Sequence, residues 1–181
     1  AYITPKRIVT KYAGCKNNLI KDEHYLLERG NGQSEMNRKK CCIMTSTETE
    51  KASLLLDFGS ELHGGLKLVM GSSSRREPSL VRIRFGESVG EANSTTSNSE
   101  WKVGFSTDDH AKRDIVMEIP RDGMIEIGNT GFRFVRLDLL QNNATISLKE
   151  ISAILRYRDI PYLGSFECND QRLNKIWITG A

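Results

Sequence analysis

Gly128-Asn129-Thr130-Gly131-Phe132-Arg133-Phe134-Val135-Arg136-Leu137-Asp138-Leu139-Leu140 is the stretch on which the reading of this chain turns. A start rich in Gly and Asn runs directly into a long apolar strand. Gly128 and Gly131 accept positive φ without Cβ strain, so Asn129 and Thr130 are expected to form a tight reversal at the strand's mouth. Beyond it Phe132 and Phe134 point to one side of the pleat, and Val135, Leu137 and Leu139 to the other. A strand with apolar groups on both faces is an inner strand, and the residues around it must supply its neighbours.

Those neighbours are legible on both sides. Leu54-Leu55-Leu56-Asp57-Phe58-Gly59 is a short apolar run closed by glycine, and residues 64–70 alternate with period two, which predicts two strands around a loop. Residues 71–78 are a loop by composition, and residues 80–85 place Val81, Ile83 and Phe85 inward with Arg82 and Arg84 outward. Residues 90–99 are dominated by Asn, Ser and Thr and are expected as a surface excursion. Further strands are expected at 114–119, 124–127, 131–140 and 145–157. Residues 1–53 read as a lead-in segment with one or two strands, one of them at 40–45, and an apolar cluster at Tyr25-Leu26-Leu27. The pattern is that of an all-β fold, an antiparallel β-sandwich of jelly-roll or concanavalin-like type, over residues 54–163.

The end of the chain changes period. After Asn169 or Asp170, either of which can cap a helix, Leu173, Ile176 and Trp177 fall at i, i+3 and i+4 on one face. About three turns of helix are marginal alone. Residues 164–181 are therefore expected to be a short helical stub, the start of a truncated helical domain, with Leu173, Ile176 and Trp177 as an interdomain docking surface.

Composition narrows the function. The 181 residues carry a formal net charge of +3, with basic clusters only at Arg38-Lys39-Lys40 and Arg75-Arg76, which is too little for a nucleic-acid footprint. No apolar run reaches the roughly eighteen residues of a membrane span, and the first residues are not a signal peptide. The residues do not set the compartment; a periplasmic or secreted location is favoured over the cytoplasm. Cys15, Cys41, Cys42 and Cys168 lack metal-ligand spacing and are expected to be free and mostly buried thiols.

Several motifs taken in order resemble one family. Leu56-Asp57-Phe58-Gly59, Gly64-Gly65 leading into a strand, and Val81-Arg82-Ile83-Arg84-Phe85-Gly86-Glu87 come first. Gly131-Phe132-Arg133-Phe134-Val135 follows, and then Gly164-Ser165-Phe166, Cys168-Asn169-Asp170, Leu173-Asn174 and Ile176-Trp177. Together they are similar to the concanavalin-like β-sandwich of bacterial α-L-rhamnosidases and the first turns of their (α/α)6 catalytic barrel. The resemblance covers residues 54–181. It implies a glycoside hydrolase that inverts terminal α-L-rhamnosides with one carboxylic acid and one carboxylate base. It also implies that both acids belong to the barrel, so this portion is expected to hold no catalytic residues, no metal and no cofactor. The implied partners are the catalytic (α/α)6 domain of the same polypeptide and rhamnose-containing glycans.

Asp57-Phe58-Gly59 lacks the phosphate loop and catalytic-loop motifs that would make it a kinase triplet, and reads as a strand-end turn. Glu61, His63, Asp108, Asp109 and His110 lack the spacing of a helical zinc site. Glu87 closes a strand and is placed to reach either a sugar or an Arg on a neighbouring strand. Trp101 and Phe105 sit on either side of Gly104 in a polar loop, as a sugar-stacking platform or a loop anchor. Arg133 and Arg136 are expected in buried ion pairs, with Asp138 or Glu87 as partner. Two functions follow: an accessory sandwich supporting a rhamnosidase barrel, or an autonomous, lectin-like carbohydrate-binding module. An aromatic and convergent polar groups in one concave site would favour the second.

Overall fold

The computed structural model describes residues 1–16, 18–34, 39–94, 113–161 and 163–180. The strands are β1 (Tyr2–Ile3), β2 (Arg7–Tyr12), β3 (Ile20–Lys21), β4 (Cys42–Ser46), β5 (Ser53–Ser73), β6 (Ser79–Gly86), β7 (Asp114–Ile119), β8 (Gly123–Leu139) and β9 (Ala144–Leu155). A 3₁₀ turn occupies Glu23–Leu27, and two helices, α1 (Val89–Asn93) and α2 (Gln171–Gly180), complete the chain. The hydrogen-bonded order is β3-β4-β9-β5-β8-β6-β7, with β1 added to β9 and β2 to β5, and every pairing is antiparallel. The expected all-β sandwich with a short C-terminal helix is what this chain forms.

Two long strands build both layers. Residues 53–57 of β5 pair with β2 and with residues 134–138 of β8, which in turn pairs with β6. Residues 64–73 of β5 pair with β9, and residues 123–130 of β8 lie on their other side. Each long strand thus crosses from one layer to the other. The runs expected as separate strands at 54–59 and 64–70, and at 124–127 and 131–140, are halves of single bent strands. The Gly128 to Gly131 segment is accordingly a bulge inside β8 and not a reversal.

Glycine makes the bends possible. Gly128 takes φ 83°, and a Cβ there would stand 2.8 Å from the Phe85 ring; a Cβ on Gly64 would collide with the Ile154 carbonyl oxygen. At this corner Phe132 meets Phe58 and Phe85 edge-on, with ring centroids 5.8 and 4.9 Å apart. The bend also separates two residues expected on one face. Phe132 pairs with Leu62 and enters the main core, whereas Phe134 pairs with Asp57 and packs outside with Leu55, Ala92 and Val9. Val135, Leu137 and Leu139 face the main core, closing it against Leu66, Leu68, Ile146 and Leu148 of the other layer.

Residues 1–53, read as a lead-in with one or two strands, carry β1 to β4, of which β1 and β3 are two residues long. The expected surface excursion begins with α1. Its N-cap Ser88 accepts the Glu91 N–H at 3.1 Å, and the Glu91 carboxylate accepts the N–H of Glu87, the residue before the cap, at 2.7 Å. Of the four free thiols only Cys41 and Cys42 are buried; Cys15 is exposed and Cys168 half-buried. Burial pushes the Cys42 thiol up to about 12. No helix among the described residues is long and apolar enough to cross a membrane.

Candidate functional site

Several charged side chains on the outer faces are engaged in ion pairs. Asp57 is buried and accepts from Arg133 Nε at 2.8 Å and Nη2 at 3.0 Å, from Arg7 Nε at 3.0 Å and from the Gly59 N–H at 2.8 Å. The Arg133 hydrogen bonds, with Gly59 and Arg7 behind them, hold the Asp57 carboxyl far below the usual carboxylate range despite burial. Asp138 accepts from Arg84 at 2.7 Å and Arg136 at 2.9 Å. Glu150 pairs with Lys67 at 2.6 Å. Burial alone would raise Asp138 and Glu150, but hydrogen bonds outweigh it and both carboxyls are lowered. Of the two partners expected for Arg133 and Arg136, Asp138 takes Arg136, whereas Arg133 takes Asp57 from β5.

Glu87 stands at the end of β6 beside Gly131, and its Oε1 accepts from Arg113 Nη2 at 3.1 Å. Arg113 also donates to Glu91 at 2.6 Å, which ties the strand end to α1. Glu87 thus has an arginine partner, Arg113. Trp101 and Phe105, together with Asp108, Asp109 and His110, lie outside the described residues. Glu61 and His63 are exposed, and among the described residues no three His, Cys, Asp or Glu side chains gather where they would hold a metal ion.

Leu173, Ile176 and Trp177, expected as a docking surface, sit on α2, which contains no buried residue. Leu173 and Ile176 are 47% and 60% exposed, and Trp177 stacks on Phe166 with centroids 6.5 Å apart. The helix start is built locally. Asp170 Oδ1 accepts the Arg172 N–H at 2.8 Å, and the Asn174 amide bonds both the N–H and the carbonyl of Cys168 at 2.8 Å.

A concave site lies elsewhere, at the 3₁₀ turn. Among the described residues, a pocket of about 420 Å³ is lined by Tyr25, Arg29, Asn31, Lys39, Lys40 and Lys149, with Glu28 as the one acidic side chain. Its far wall is anchored from below. Glu150 Oε2 accepts the Gly32 N–H at 3.0 Å, Ser152 donates to Glu150 Oε1 at 2.5 Å, and Lys67 reaches the same carboxylate under the Tyr2 ring. A Cβ on Gly30 would collide with Glu150. The Ser34 hydroxyl donates to the Met70 carbonyl at 2.6 Å and accepts the Gly123 N–H at 2.9 Å, so the wall is fixed to β5 and β8. A wider depression of about 650 Å³ around Thr45, Thr47, Thr49 and Glu50 has no aromatic side chain in its lining.

This site was not predicted, although its parts are visible in the sequence. Tyr25 belongs to a noted apolar cluster and Lys39-Lys40 to a noted basic one. Lys149 joins them only through the register of β4 on β9, in which Cys42 faces Leu148.

No protein-family model matches the chain, and no curated protein matches it. Solved structures do. A rhamnosidase from Klebsiella oxytoca with rhamnose bound aligns at TM-score 0.50 and 16% identity over 73% of this chain and 26% of that one. The C-terminal domain of a chitobiase from Bacteroides fragilis aligns at 0.50 and 11% identity, covering 86% of this chain and 98% of that domain. The family 32 carbohydrate-binding module from Streptococcus pneumoniae EndoD aligns at 0.50 and 7% identity over 86% and 100%. At these identities the likeness is one of fold. The chain spans about a quarter of the length of the Klebsiella oxytoca rhamnosidase.

Proposed function

We propose that this chain is the non-catalytic β-sandwich portion of an α-L-rhamnosidase, in which residues 54–163, with residues 1–53 packed onto them, support a helical catalytic domain entered at residues 164–181. The observation that carries this reading is the apolar surface left beyond the sandwich. Tyr157, Ile160, Leu163, Leu173, Ile176 and Ile178 are between 47% and 95% exposed, while the sandwich closes its own core. Apolar side chains so concentrated in one short stretch call for a covering surface. The buried acids support the same reading. A general acid for glycoside hydrolysis needs a raised pKa, and Asp57, Asp138 and Glu150 are all lowered by the hydrogen bonds they accept. The test is an assay on an aryl α-L-rhamnoside of this chain beside the polypeptide extended through its helical domain. Turnover by the longer protein alone is expected; repurification-stable turnover by this chain overturns the proposal.

A second reading, a glycan-binding module that works alone, rests on the Tyr25 pocket. It joins an aromatic ring to convergent polar groups in one concavity, the arrangement that small-ligand sites share. Calorimetry of this chain with rhamnose and other monosaccharides separates it from a purely supporting role.

A further inference from the structure

We infer that Asn31 is a site of spontaneous deamidation that the fold holds in check, with buried Glu150 withholding the backbone nitrogen of Gly32 from the Asn31 side chain. It depends on neither reading of function. The chain contains one Asn-Gly pair, Asn31-Gly32, and every other asparagine is followed by a residue whose Cβ crowds its backbone nitrogen. Glycine leaves that nitrogen open to attack a neighbouring carbonyl. The reaction needs no partner but water. The Gly32 nitrogen gives up its proton and bonds to Asn31 Cγ; the Cγ–Nδ2 bond breaks, and Nδ2 takes its electron pair and the proton away as ammonia. Water then opens the resulting cyclic imide at either carbonyl, leaving aspartate or isoaspartate.

The electrophile is ready. Asn31 is exposed, and its Oδ1 accepts the Gln33 N–H at 3.1 Å, a donor set on the oxygen where negative charge gathers as Cγ is attacked. The nucleophile is held back. The Gly32 N–H donates to Glu150 Oε2 at 3.0 Å, while Glu150 Oε1 takes the Ser152 hydroxyl at 2.5 Å and Lys67 at 2.6 Å. Those bonds outweigh burial and keep the Glu150 carboxyl ionised at neutral pH, so it is a poor base for an amide proton. Removing that proton would also set two negative charges 3.0 Å apart at a buried carboxylate. Gly30 is seated on the same Oε2, where a Cβ would collide, so both neighbours of Asn31 rest on Glu150. Conversion therefore waits for residues 28–32 to lift away, and its rate follows the fraction of time they are open. The product changes the Tyr25 pocket, which Asn31 lines: aspartate adds a carboxylate beside Glu28, and isoaspartate adds a main-chain carbon between two glycines fitted to Glu150.

The experiment is incubation of the purified chain at one neutral pH and temperature, folded and in urea, with peptide mapping by mass spectrometry at intervals. Asn31 is expected to convert in urea and at least about ten-fold more slowly in the folded chain, a ratio that should match within about three-fold the open fraction read from amide hydrogen exchange at Gly32. Glu150→Gln removes the negative charge and is expected to raise the folded-state rate at least about three-fold while leaving the rate in urea unchanged. Because that variant strands the buried Lys67 ammonium, Glu150→Gln/Lys67→Met is measured beside it, and a thermal melt reports whether each folds. If neither folds, the wild-type rates and the Gly32 exchange decide alone. Equal rates in the folded and unfolded chain overturn the gating, and a faster rate in the folded chain overturns it too, by making Glu150 a base. No conversion at Asn31 in urea overturns the site itself, and a folded variant that converts no faster than wild type overturns the role of Glu150.

Discussion

Replacing Asp57 by Asn tests whether one buried carboxylate clamps three strands. Its two oxygens take four hydrogen bonds, two from Arg133 on β8, one from Arg7 on β2 and one from the N–H of Gly59 on its own strand. Asn keeps the shape and one oxygen, but turns an N–H₂ toward guanidinium donors. At least two charge-assisted bonds are lost, each worth about 1.5–3 kcal/mol. Some of that returns as hydration, since the Arg7 and Arg133 side chains are 62% and 39% exposed and turn readily to water. The expected cost is about 2–3 kcal/mol, below the roughly 3–5 kcal/mol of stranding a fully buried partner. Arg7→Gln, which removes the most exposed member, should cost about 1 kcal/mol or less.

The assay is urea denaturation at neutral pH and again under acid. Asp57 has its pKa lowered on folding, so its contribution is present above the unfolded value near 4 and lost as pH falls through the folded value. The wild-type chain should therefore lose its advantage over Asp57→Asn progressively below about pH 4. Asp138 and Glu150 are lowered too and keep an acid limb in both proteins. A neutral-pH difference under about 0.5 kcal/mol, or one that does not shrink with acid, would refute the clamp.

Three further outcomes are expected. Phe132→Ala should cost about 3–5 kcal/mol because the ring is fully buried among Phe58 and Phe85, while Phe134→Ala, in the small outer cluster, should cost less; paired urea midpoints decide the order. Gly128→Ala should cost at least about 2 kcal/mol, combining strain at φ 83° with the Phe85 contact, and more than Gly123→Ala, where φ is 96° but nothing lies within 4 Å. Trp177→Ser should leave this chain's midpoint within about 0.5 kcal/mol, since α2 has no buried residue, yet destabilise the polypeptide that includes the helical domain; equal melting of that longer pair would argue against docking.

Where structure is set by neighbours in sequence, the chain was readable. The alternation of Val81, Ile83 and Phe85 is β6, the run after Arg113 is β7, and the switch of period after Asn169 is α2. The Arg136–Asp138 pair was readable for the same reason, because residues two apart on a strand share a face. The bends were not. A Gly-Asn-Thr-Gly segment serves a reversal or a bulge equally well, and the choice at Gly128 belongs to the Phe85 ring on another strand.

The charged residues obey the same division, and it bears on the site. Arg84 was expected to point outward, as it does, but α1 and Asp138 cover it, so a residue that leaves the core is still buried. Arg133 finds Asp57 because the register sets Phe134 opposite Asp57, a fact no local pattern contains. At the Tyr25 pocket, Tyr25, Lys39 and Lys40 come from the lead-in segment and Lys149 from β9, and buried Glu150 sets the wall between them. The ion pairs of Asp57 and Asp138 join neighbouring strands, whereas the cations at this pocket are brought together from separate stretches of the sequence. The paired charges serve strand cohesion, and the makeup of the pocket follows from strand register, which no local pattern contains.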